Sequence, residues 1–173
     1  MKLIAFDMDG TLIRNTDSVT FLCRLNHADP AILNQINRQE KSGAVSWIEA
    51  DYARVDLIQG LPHRAIRESF DTYIQLIGGL TTLMDYLRQR DYRTLLITAG
   101  PIQVAEIIAD RYSFDDCFGS DFEVIDGRFT GRILSHMGAL GKAKCLETVC
   151  HREDIPYDNC IAVGDSASDI KIF

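Results

Sequence analysis

The sequence predicts an α/β fold in which helices flank a parallel sheet and a block of helices is inserted after the first strand. Three observations predict it. A short apolar run, Lys2 to Met8, stops at Asp9-Gly10-Thr11. A stretch of helical texture follows from about Arg14 to Asp71, and after Gly78-Gly79 helix and strand patterns alternate. Such alternation builds parallel sheets.

The elements read in order as follows. Lys2 to Met8 is a buried strand ending in a turn, with Asp7 and Asp9 at its C-terminal end. Ser18 to Leu25 is a helix, a second is opened by Asp29-Pro30, and a third by Ser46-Trp47-Ile48-Glu49, a capping box in which Ser46 and Glu49 satisfy each other's backbone N–H. A fourth starts at Leu61-Pro62. Leu80 to Arg90 is amphipathic and helical, Arg93 to Thr98 an apolar strand, Ile102 to Arg111 a helix, Ala139 to Cys150 another, and Cys160 to Val163 a strand ending in Gly164-Asp165. Between the last two helices, Phe122 to Ile125 and Arg128 to Thr130 flank Asp126-Gly127, a tight-hairpin signal.

Composition narrows the function. The 173 residues are 46% apolar and 25% charged, the profile of one soluble globular unit. A net charge of −7 argues against a nucleic-acid surface built on phosphate neutralisation. No apolar run approaches the roughly 20 residues of a bilayer span, and Lys2 and Asp7 put charge where a signal peptide is apolar. A cytoplasmic protein with neither a membrane nor a nucleic-acid partner is expected. The cysteines, Cys23, Cys117, Cys145, Cys150 and Cys160, are odd in number and scattered, with no C-x-x-C pair, and read as small packing residues. The histidines His27, His63, His136 and His151 are read the same way.

In a parallel sheet, ligands bind beyond the carboxyl ends of the strands. Three strands deliver Asp7-Met8-Asp9, Thr98-Ala99-Gly100 and Gly164-Asp165 to that edge, and Asp169 follows. Four aspartates on one patch repel unless a cation sits among them, and magnesium suits a few protein oxygens completed by water and phosphate. The Thr98 hydroxyl, the backbone amides at Gly10 and Gly100, and a lysine ahead of the last strand suit a phosphoryl ligand. A carboxylate there can be the nucleophile, with its +2 neighbour as general acid. Each piece has a plainer explanation: an Asp turn at Asp7 to Thr11, a helix cap at Thr98, acids at a helix start at Asp165 and Asp169, a solvated lysine at Lys142 or Lys144. Their joint occurrence in order is what the plainer explanations leave unaccounted for.

With these residues the chain resembles the haloacid dehalogenase (HAD) superfamily, and within it phosphoserine-phosphatase-like enzymes. The motifs stand as Asp7-Met8-Asp9-Gly10-Thr11-Leu12, Thr98-Ala99-Gly100, Lys142, and Gly164-Asp165 to Asp169. Lys142 is preferred over Lys144 because it lies 23 residues before Asp165, a spacing similar to the family's. The resemblance implies a Rossmann-like core over residues 1–13 and 72–173 and a helical cap over 14–71. It implies that Asp7 attacks phosphorus, and that Asp9 protonates the leaving oxygen and later activates water. The carboxylates of Asp7 and Asp165 and the carbonyl of Asp9 would hold Mg2+, and Thr98 and the Gly10 and Gly100 amides the phosphoryl group. Lys142 would balance charge, and Asp169 would orient Lys142 or a metal-bound water. An acid at position 9 separates phosphatase and phosphotransferase chemistry from the superfamily's dehalogenases and ion pumps.

The substrate is expected to be a small phosphorylated metabolite. Arg54 falls where such enzymes place an arginine for a substrate carboxylate; the plainer reading is a helix arginine paired to a neighbouring acid. Thr16 stands where they carry a glutamate for the amine, and Asp17 is the nearest replacement. Relatives continue past the fourth motif, whereas this chain stops at Lys171-Ile172-Phe173. An oligomer or reduced stability is therefore expected from an unpaired sheet edge. Two other readings stay open: a phosphotransferase, and a weakly catalytic phosphate-binding module.

Overall fold

The structure, a computed structural model, describes residues 1–166 and Asp169. The helix start expected across Ala167 and Ser168, and the closing Lys171-Ile172-Phe173, lie outside these residues. The elements are β1 (Lys2–Phe6), α1 (Ser18–Leu25), α2 (Pro30–Lys41), α3 (Trp47–Asp56), α4 (Arg64–Tyr73), α5 (Leu80–Gln89), β2 (Tyr92–Pro101), α6 (Ile102–Tyr112), β3 (Asp116–Ile125), β4 (Arg128–Ser135), α7 (Gly138–Glu153) and β5 (Cys160–Val163), with a 3-10 turn at Tyr157–Asn159. No described helix is long and apolar enough to cross a membrane.

The sheet order is β4-β3-β2-β1-β5. β1 lies between β2 and β5 and is parallel to both, with Ile4 opposite Thr94 and Ile161. Its side chains alternate between two cores. Leu3 and Ala5 pack with Leu95, Ile97, Leu146 and Val149 beneath α7. Ile4 and Phe6 join a larger cluster that includes Leu96, Val104 and Ile108, and continues into Phe21, Val55 and Phe70 of the inserted helices. Burial on both faces explains why β1 reads as a continuous apolar run.

The helix starts follow their local chemistry. Asp17 caps α1 by accepting the Thr20 N–H at 2.7 Å, Asp29 caps α2 with Pro30 in its first turn, and Ser46 and Glu49 form the expected capping box. α4 begins at Arg64 rather than at Leu61-Pro62, because the Phe129 N–H donates to the Leu61 carbonyl and Pro62 forms an isolated bridge with Arg128. The Gly60 and His63 N–H groups likewise donate to the Phe129 and Gly127 carbonyls at 2.8 and 2.9 Å. The hairpin strand is thus covered on its outer side by the loop between α3 and α4.

β3 is longer than its local sequence suggests. Its first half, Asp116 to Ser120, contains poor strand formers, yet pairs parallel with β2. Its second half turns at Asp126-Gly127 to pair antiparallel with β4. Both turn residues have positive φ, 49° and 72°, the geometry for which Asp-Gly is suited in a type I′ hairpin.

An ion cluster ties β2, β3 and α7. Asp116 Oδ2 accepts from Arg93 Nη2 at 3.0 Å and from Arg152 Nη2 at 2.6 Å. Burial pushes the Asp116 carboxyl up, but the hydrogen bonds from Arg152 and Arg93 outweigh it and hold it below the usual carboxylate range. A lowered carboxylate stabilises the fold fully above its unfolded pKa, and that contribution is lost as pH falls through the folded value. Asp116→Asn is therefore expected to cost about 1 kcal/mol in urea unfolding at neutral pH. The gap to the parent should close below roughly pH 4; a gap independent of pH would contradict the ionic account.

Candidate active site

The carboxyl end of the sheet gathers the expected residues from elements far apart in the chain. Asp7 directly follows β1 and is buried. Lys142, in the first half of α7, is 2% exposed. Its ammonium donates to Asp7 Oδ1 at 2.7 Å and to Asp169 Oδ1 at 2.6 Å. Asp169 Oδ2 also accepts the Ser166 N–H and hydroxyl at 3.0 and 2.8 Å. Burial disfavours the charged lysine, but Asp7 and Asp169 more than offset it and raise its pKa. Burial raises the Asp7 carboxyl against the opposing pull of Lys142. In Asp169 the same burial is overcome by the bonds from Lys142 and Ser166, and its pKa falls.

Asp9 faces the other way, toward the inserted helices. Its Oδ1 accepts the Ser18 N–H at 2.7 Å and its Oδ2 the Ser18 hydroxyl at 2.6 Å. Enclosure in the protein pushes this carboxyl up to about 7, against the bonds from Ser18. Such a group can both give and take a proton near neutral pH. Ser18, fully buried at the start of α1, was not singled out from sequence. The one available signal was a serine at a helix start, and its pairing with an acid nine residues away depends on the fold.

Thr98 is buried, and the Gly100 N–H donates to its hydroxyl oxygen at 2.9 Å. The Gly10 N–H donates to the Ile13 carbonyl at 3.1 Å. Both amides, expected at a phosphoryl group, therefore close their own turns in this structure. These glycines instead permit close approach. A Cβ at Gly100 would overlap the Ser18 hydroxyl and the Asp9 carboxylate, and one at Gly10, where φ is +79°, would overlap the Asp165 carboxylate. Ser120, also unanticipated, donates to the Ala99 carbonyl at 2.6 Å and accepts the Met137 N–H at 2.9 Å, anchoring the turn after Thr98.

Asp7, Asp9, Thr98, Gly100, Lys142 and Asp165 line a cavity of about 580 Å³. Its opposite wall carries Asp17, Glu40, Trp47, Asp51 and Arg54 from the inserted helices. Thr16 stands outside it, in a shallower groove with Gly10 and Arg14; its hydroxyl donates to the Asp17 carbonyl at 3.3 Å. Arg54 is held by Asn37, Glu40 and Asp51, and both readings of it meet here: a paired helix arginine that also faces the cavity. Glu40, Asp51 and Trp47 lacked a motif to mark them. His136 joins this wall through a 3.1 Å hydrogen bond from Nε2 to Asp51 Oδ2, its Nδ1 accepting the Gly138 N–H.

The donor set suits a hard dication. Asp7, Asp165 and Asp169 each offer an oxygen within 4.8 Å of the others. Lys142 alone leaves the group two charges negative, and a divalent ion would cancel them. Asp169 is engaged with Lys142 and Ser166, so Asp7 and Asp165 are the carboxylates available to an ion.

Residues 4–173 match the family model described as haloacid dehalogenase-like hydrolase. A phosphoserine phosphatase of Archaeoglobus fulgidus is 28% identical over 97% of the chain, which spans 48% of that relative's length; the chain spans about half or less of several curated relatives it matches. Among solved structures, a HAD family hydrolase from Salmonella enterica superposes with a TM-score of 0.89 at 27% identity, covering 98% of this chain and 58% of that one. A phospho-aspartyl intermediate analogue of phosphoserine phosphatase gives 0.83 at 25%, covering 99% and 81%.

Removing the shared ammonium would leave two buried carboxylates facing each other. Lys142→Met is expected to cost about 3 kcal/mol or more in chemical unfolding, and a loss below about 1 kcal/mol would show that the carboxylates rely on another partner.

Proposed function

Because the chain belongs to the haloacid dehalogenase-like hydrolase family, we propose that it hydrolyses the phosphomonoester of a small metabolite through an aspartyl phosphate on Asp7. The observation that carries this reading is the buried Asp7–Lys142–Asp169 arrangement at the floor of a cavity that also admits Asp9. The names of the relatives support it, since they are phosphoserine phosphatases over nearly the whole of this chain.

The chemistry divides between the two acids. The Asp7 carboxylate bonds to phosphorus as the ester P–O bond breaks, and protonated Asp9 gives its proton to the departing oxygen. Asp9, now a carboxylate, takes a proton from water, whose oxygen attacks the same phosphorus and frees Asp7 and inorganic phosphate. Lys142 holds Asp7 in place and offsets charge on the phosphoryl oxygens; the Thr98 hydroxyl, which keeps a proton to donate, points to the same task. Magnesium on Asp7, Asp165 and the Asp9 carbonyl would supply further neutralisation of the phosphoryl group. Residues 14–71 act as a cap over the cavity and limit water there.

Turnover of a generic aryl phosphate should require magnesium and stop with a chelator. Asp7→Asn should lower kcat by about a thousandfold or more; magnesium-independent turnover, or a variant within about tenfold of the parent, would sink this reading. Ser18→Ala tests the placement of Asp9: kcat should fall about tenfold with KM little changed, as expected when a proton donor is misplaced. An unchanged kcat would remove Ser18 from the mechanism.

A further inference from the structure

The wall that faces the leaving group is unusually specific about charge. Among the described residues, three carboxylates, Asp17, Glu40 and Asp51, line it against one guanidinium, Arg54. Arg54 is already engaged. Its Nε and Nη2 donate to Asn37 Oδ1 at 3.1 and 2.9 Å, Nη1 donates to Asp51 Oδ1 at 3.0 Å, and Nη2 also donates to Glu40 Oε2. Four of its five N–H donors are thereby directed at protein acceptors.

A substrate carboxylate is gripped well only by two parallel N–H donors. To receive one, Arg54 would have to give up the Asn37 oxygen, which takes its Nε and Nη2 donors, and would then bring the substrate anion up beside Glu40 and Asp51, which already share its charge. Asp51 has little freedom to adjust, because Oδ2 also accepts from His136 Nε2 at 3.1 Å. The His136 ring in turn packs against Trp47, with centroids 5.2 Å apart. An ammonium group meets the opposite conditions: the carboxylates of Asp17, Glu40 and Asp51 as acceptors, and the Trp47 ring in the same wall.

Resting on the phosphomonoesterase reading above, we infer that the preferred leaving group is a short alcohol bearing a protonated amine and no carboxylate, as in an ethanolamine-type phosphate. Phosphoserine satisfies half of this wall, with its ammonium, and opposes the other half with its carboxylate. A phosphorylated hydroxy acid opposes it altogether.

The test compares four substrates on the wild-type chain with magnesium: an aryl phosphate, O-phosphoethanolamine, O-phosphoserine and 2-phosphoglycolate. The expected order of kcat/KM places phosphoethanolamine about tenfold or more above phosphoserine, and phosphoglycolate last. Phosphoserine turned over as well as or better than phosphoethanolamine would overturn the inference, as would aryl phosphate turnover with none of phosphoethanolamine. No turnover of the aryl phosphate would instead strike the reaction reading. Calorimetric binding of the unreactive 3-aminopropylphosphonate against 2-amino-4-phosphonobutyrate then still reads the preference: equal affinity overturns it, and tighter binding of the former upholds it. Glu40→Gln frees one Arg54 donor from its acid and should narrow the phosphoethanolamine to phosphoserine ratio about tenfold; an unchanged ratio would also count against the inference.

Discussion

One ammonium group holds this site together. Lys142 Nζ sits between Asp7 and Asp169, buried and bonded to both, and the three residues come from the end of β1, the first half of α7 and the segment after β5. Without the cation, two carboxylates would face each other away from water, an arrangement that proteins avoid by binding protons or counterions. With it, the carboxyl end of the sheet becomes a rigid floor from which Asp7 presents its second oxygen. The surplus negative charge, with Asp165 exposed above Gly10, is the electrostatic reason that a dication suits this floor.

From that floor the structure reaches its opposite wall through Asp9. Its carboxylate is clamped by the backbone and hydroxyl of Ser18, the first residue of α1, so the first acid motif and the inserted helices are fastened at one point. Gly100 lets the end of β2 approach that same point, where any side chain would overlap both partners. Burial at that point, working against the bonds from Ser18, raises the pKa of Asp9 and places an acid able to exchange protons between floor and wall. The far wall is organised by a second charge group, in which Arg54 binds Asn37, Glu40 and Asp51 while His136 reaches Asp51 from the sheet. The helices and the sheet edge are therefore linked by polar bonds in addition to the continuous apolar cluster.

Helix α1 over Ser18–Leu25, the capping box at Ser46 and Glu49, and the hairpin at Asp126-Gly127 were legible because short-range chemistry dictates each. The first half of β3 was not, since Asp116 to Ser120 carries little strand propensity and is extended only because β2 offers it backbone partners. Likewise Gly10 and Gly100 were legible as glycines in a site, but their task was not. Their amides close local turns, and their lack of a side chain matters because Asp165, Asp9 and Ser18 crowd against them.

By itself the sequence determined the α/β class, the order of strands and helices, and the set of acids, threonine and lysine that the strand ends carry, because these follow from periodicity, capping and turn chemistry within a few residues. Tertiary structure alone decided that Lys142 bridges Asp7 and Asp169, that Asp9 is held by Ser18, and that Arg54 is bound by Asn37, Glu40 and Asp51. Each of these is a contact between segments 9 to 135 residues apart, apart from the Arg54–Asp51 pair one helical turn away. The energy of such contacts lies in burial and in the geometry of paired charges, which no local pattern encodes.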